Sequence, residues 1–91
     1  MRIRALLLPF ALAALAGCAG DETTQCTTEP RSAWQDADAF QKNLLDQGYQ
    51  INEFKITDGN CYEIYGFDPE QTKVEIYYNP VDGSVVKREE D

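Results

Sequence analysis

Histidine is absent from this sequence, tryptophan and methionine occur once each, and Lys and Arg together number 8 against 16 acids. Without histidine, the commonest general base and the commonest metal-binding imidazole are both missing. No CxxC pair, no zinc-ligand spacing, no GxGxxG and no phosphate-binding loop occurs. A formal charge of −8 argues against nucleic-acid binding by electrostatics. Acids are plentiful, but a catalytic carboxylate pair needs a cleft that separates its two pKa values. A chain of 91 residues has little room for one. These absences lead to the expectation of a non-enzyme that carries no cofactor and no metal.

The one long apolar run stands at the start. Met1-Arg2-Ile3-Arg4 is basic, and Ala5–Leu15 is apolar but too short to span a bilayer as a stable helix. It ends in Leu15-Ala16-Gly17-Cys18, which resembles a bacterial lipobox. The resemblance implies a lipoprotein signal peptide over residues 1–17, cleavage before Cys18 and acylation of that cysteine. The alternative is an ordinary secretory signal with an incidental Cys. Residues 18–29 then read as the acylated Cys and a flexible tether, since Ala19–Thr28 is small, polar and without apolar periodicity. The lipid holds the protein to a membrane without crossing it. Ala19, where an Asp would commonly favour inner-membrane retention, points to the periplasmic side of the outer membrane if two membranes are present. Loss of Arg2 and Arg4 with the leader takes the formal charge from −8 to −10. Solubility explains that charge, although it could also attract a basic partner or divalent cations.

Cleavage leaves 91 minus 17, or 74, residues, enough for one domain, placed at 30–91. A core this small usually needs a staple. With Cys18 acylated, Cys26 and Cys61 remain, and an exported protein is expected to join them in a disulfide.

Trp34 precedes the helix and is read as closing the core over its end rather than as a ligand-stacking platform. Asp36–Gln47 is the helix, with Asp36 as N-cap and Gly48 as the residue that ends it. Ser32 with Gln35 offers an earlier start. Ala37, Phe40 and Leu44 make its apolar stripe. Tyr49–Ile56 is the first strand. Tyr49 and Ile51 differ in parity from Phe54 and Ile56, which predicts a bulge near Asn52-Glu53. Thr57–Asn60 is a hairpin turn signalled by Asp58-Gly59. Cys61–Phe67, Lys73–Tyr78 and Ser84–Val86 continue an antiparallel meander through two Pro-containing turns, and Lys87–Asp91 is expected to fray. The fold class is α+β, one N-terminal helix on an antiparallel sheet of three to four strands. Parity sends Ile64, Val74 and Ile76 to the helix and Glu63, Tyr65, Glu75 and Tyr77 to the other face.

The order of a cysteine-linked prelude, Trp34, a helix ending in Gly48-Tyr49, then CYEIY, VEIYYNP and DGSVV resembles a PepSY domain of the small secreted kind. The resemblance runs from about Cys26 to Lys87. Asn79 stands where the family typically has Asp, so one turn carboxylate is missing. The resemblance implies a cystatin-like helix-on-sheet arrangement. PepSY domains occur in propeptides of thermolysin-like peptidases, so it also implies an inhibitory or protein-binding role toward a peptidase or other envelope protein. Glu63, Tyr65, Glu75 and Tyr77 are the expected binding face, with the Tyr residues as anchors and the Glu residues meeting a basic patch. The rival is that the segment through Cys26 covers this face. The alternative functions are a small-ligand or cation-binding lipoprotein using the same two Glu residues, and a structural envelope component.

Overall fold

The computed structural model describes residues 24–91. The expected leader, Cys18 and the first part of the tether lie outside the described residues. Helix α1 spans Ala37–Asp46. Asp36 caps it by accepting the Ala39 N–H at 3.0 Å. At its end Gly48, with φ at 104°, lets Gly48 N–H reach Leu45 O and Tyr49 N–H reach Leu44 O, both at 3.0 Å. This paired closure satisfies carbonyls that the helix itself leaves open. The helix precedes all four strands, although a short 3-10 turn, Arg31–Ala33, comes before it.

The strands are β1 Gln50–Ile56, β2 Tyr62–Phe67, β3 Lys73–Tyr78 and β4 Val85–Glu90. They form one antiparallel meander in the order β1-β2-β3-β4. The expected irregularity in β1 falls between Ile51 and Glu53. Gly66 faces Ile51 there, and a Cβ on it would stand 1.9 Å from Gln50 O, so only glycine fits. The expected last strand, Ser84–Val86, is longer than its apolar residues suggested. Instead of fraying, residues 87–90 pair with Tyr77 back to Val74. Arg88 explains much of this, because its Nη2 donates to Asp68 Oδ2 at 2.7 Å. An edge strand also leaves one flank in water, where charged side chains stay solvated.

Alternation puts one apolar face under α1. Phe40 and Leu44 pack on Tyr62 and Ile64 of β2 and on Val74, Ile76 and Tyr78 of β3. Tyr62 is ringed by Trp34, Phe40 and Phe54, with centroids 5.6, 5.0 and 5.2 Å away. Its hydroxyl donates to Gln35 O at 2.6 Å, which satisfies the polar end of a buried ring. Trp34 thus packs against the core, as expected, and anchors its own Nε1–H on Glu29 O.

Cys26 and Cys61 are joined in a disulfide. The segment from Thr24 lies against the β1–β2 turn, where Cys26 N–H donates to Gly59 O at 3.0 Å. Gly59 is required by this contact rather than by a positive φ, since a Cβ would meet Thr24 O at 1.8 Å. The left-handed residue of that turn is Asn60, with φ at 63°. In the β3–β4 turn, Asn79 Oδ1 accepts the Val81 N–H at 2.8 Å, so the amide oxygen does the capping work of a carboxylate.

Candidate functional site

The face of the sheet turned away from α1 carries two cross-strand rows. In one, Lys55, Glu63, Tyr77 and Lys87 stand side by side. In the other, Glu53, Tyr65, Glu75 and Glu89 do. The four residues expected from parity, Glu63, Tyr65, Glu75 and Tyr77, therefore form one contiguous cluster at its centre. The register decides their neighbours: Tyr65 opposes Glu75, and Glu63 opposes Tyr77.

Exposure divides the cluster. Glu63 is 1% exposed and Tyr77 2%, whereas Tyr65 is 36% exposed. Glu75 is half-buried. Glu63 and Tyr77 are thus interior groups, and a partner reaching this face meets Tyr65 first. The Tyr77 hydroxyl donates to Glu75 Oε2 at 2.9 Å, and Lys87 Nζ lies 5.6 Å from the Tyr77 ring centroid. Lys55 Nζ stands 3.9 Å from Glu63 Oε1, the long end of an ion pair.

Glu75 sits at the hub of these groups as the ionised carboxylate. A hydrogen bond from Glu63, followed by those from the Tyr77 and Tyr65 hydroxyls, holds it below the usual range against the opposing effect of its own burial. Glu63 goes the other way. Burial first, and then its hydrogen bond to Glu75, push it up to about 7. Burial and the bonds to the two carboxylates keep the Tyr65 phenol protonated well above its usual range.

Sequence parity placed the four central residues but missed their flanks. Lys55 was within reach, because a hairpin turn at residues 57–60 sets it opposite Glu63. Lys87 and Glu89 were hidden by reading the C-terminal residues as a frayed tail. Two lysines on this face supply the counter-charge that the four residues alone lack. Among the described residues no pocket opens, and no group of three or more His, Cys, Asp or Glu is placed to hold a metal ion.

The rim of the sheet is a second surface. β4 is its last strand, and Val85 and Val86 are 54% and 43% exposed. Between Tyr77 and Tyr78 the β3–β4 register slips, so that Val86 is the extra residue of a bulge. With the bulge, neither valine is buried.

Comparison with curated proteins and with solved structures returns no match. A family model does match, that of the PepSY_2 peptidase propeptide and YPEB domain, over residues 3–89. A helix laid on a four-stranded antiparallel sheet, and a match over nearly the whole length, place this chain in the family of peptidase propeptide and YPEB domains.

Proposed function

We propose that this protein is a non-catalytic domain, held on the cell envelope by an acylated Cys18, that binds a peptidase or another envelope protein through the open edge of β4. The observation that carries the reading is the pair of exposed valines, Val85 and Val86, on a strand that among the described residues has a neighbour on one side only. An extended segment of a partner can add to such a flank by backbone hydrogen bonds, with apolar side chains as anchors. The charges that follow, Lys87 to Glu90, discourage two copies from pairing edge to edge and so favour a foreign strand. Tyr65, the accessible member of the Glu63, Tyr65, Glu75 and Tyr77 cluster, supplies a flanking contact. Membership in a family of peptidase propeptides supports a peptidase as the partner class.

Two measurements test this. Progress curves of secreted thermolysin-like peptidases are expected to slow in the presence of the protein, with Val85→Lys/Val86→Lys weakening the effect. The reading fails if neither inhibition nor a complex on size exclusion appears at high micromolar concentration. Detergent partitioning of wild type and Cys18→Ser tests the anchor separately. Equal partitioning, with no acyl mass on the wild type, removes it.

A further inference from the structure

Glu63 is the one acid on the sheet face opposite α1 whose side chain is fully interior. Its Oε2 is buried and meets no hydrogen-bond donor. As a carboxylate it would leave a charged acceptor bare where water does not reach, which is costly. As a carboxylic acid the group carries a proton to donate, and Glu75, its diagonal neighbour on β3, is the carboxylate it bonds to. Glu75 already accepts the Tyr77 hydroxyl at 2.9 Å. The pair is thus built for one proton and one negative charge.

The surrounding groups do not alter this count. β1 presents Lys55, 3.9 Å from Glu63, and Glu53 beside Tyr65. β2 adds the Tyr65 phenol, held protonated well above its usual range, and β3 the Tyr77 phenol, which donates to Glu75. β4 brings Lys87 and Glu89, which pair with each other at 3.4 Å. Lys55, at the limit of ion-pair distance, is paired with Glu63 itself.

We propose that Glu63 and Glu75 form a one-proton latch, which holds this face of the sheet closed in mildly acidic surroundings and loosens it toward neutrality as the second carboxylate ionises. The direction follows from linkage. A group that holds its proton more tightly when folded contributes stability that fades as pH rises from the ordinary carboxylate range toward about 7. Glu75, depressed by the proton Glu63 donates, contributes the opposite slope, which appears only below the ordinary range. The face is therefore tightest in mild acid, and what loosens as pH rises toward neutrality is the strand pair that buries Tyr77.

The test is a carboxyl-carbon NMR titration of the full chain, together with amide hydrogen exchange of β2 and β3 corrected for the intrinsic pH dependence. One glutamate is expected to titrate near neutrality and the other below the usual range. The opening constant should rise roughly twentyfold between about pH 5.5 and about pH 7.5, the ratio given by a single site moved from 4.5 to about 7. Glu63→Gln, which keeps a donor toward Glu75, should abolish that rise while leaving protection at the lower pH intact. Two ordinary carboxyl titrations in the wild type, or an equal pH response in Glu63→Gln, would overturn the latch. If Glu63→Gln fails to fold, the wild-type titration alone still decides.

Discussion

Reduction of the Cys26–Cys61 bond is expected to remove a large part of the stability of this domain. The bond ties residues 35 apart in sequence. For a loop of that length the chain-entropy relation gives roughly 4 kcal/mol, all of it from a more restricted unfolded state. Net stability for a domain of this size is on the order of 5 kcal/mol, so the loss is comparable with the whole. The corresponding fall in Tm is on the order of 20 °C. A second contribution is separable. The segment at Thr24–Cys26 sits on the β1–β2 turn through Cys26 N–H and Gly59 O, and Gly59 leaves it room. Gly59→Ala keeps the bond but forces the segment off the turn, and so reports the seating alone. Urea denaturation followed by Trp34 fluorescence should rank oxidised wild type first, Gly59→Ala next, and reduced protein together with Cys26→Ala/Cys61→Ala last. The m value should rise on reduction, because the freed unfolded chain exposes more surface. A midpoint unmoved by reduction would refute the entropic argument. Labelling of both thiols in unfolded, unreduced protein would refute the bond.

Other outcomes follow from burial and backbone geometry. Tyr77→Ala should cost about 3–5 kcal/mol in urea melts, as for a truncated buried aromatic, while Tyr65→Ala at a partly exposed site costs much less; equal losses would contradict the division of the face. Gly66→Ala places a Cβ 1.9 Å from the backbone of β1 and is expected to unpair that strand, which loss of hydrogen-exchange protection in β1 but not in β3 would show. Asp68 is held below its usual range, first by Arg88 and then by the Thr72 N–H, so its contribution is present above the ordinary carboxylate range and is lost as pH falls through the depressed pKa. Asp68→Asn should flatten the acid side of the stability profile, and an unchanged acid limb would exclude that role.

The parts of the fold legible in the sequence are those governed by local rules. Asp36 and Gly48 bound the helix because N-capping and a positive φ are properties of single residues. The β1 bulge was legible because Tyr49 and Ile51 conflict in parity with Phe54 and Ile56. What escaped depends on contacts between distant segments. Lys87–Glu90 reads as a solvated tail until Asp68, 20 residues earlier, is seen to hold Arg88. Gly59 reads as a turn glycine, yet its smallness serves the approach of Thr24. The candidate site shows the same limit. Alternation brought Glu63, Tyr65, Glu75 and Tyr77 to one face, but alternation cannot distinguish an exposed row from an interior one. Burial turned Glu63 from a contact residue into the proton-holding member of a pair.

The position of the disulfide also fixes how the domain would carry a mechanical load. Tension arriving through Cys26 passes across the bond to Cys61, at the head of β2, and bypasses residues 27–60. Helix α1 and strand β1 lie within that bypassed loop. The path continues through β2, β3 and β4, and because β2 and β4 run parallel on either side of β3, it leaves at the opposite end of the sheet. A pull between Cys26 and Asp91 therefore acts along the strands, straining their hydrogen bonds together in shear instead of unzipping them one after another.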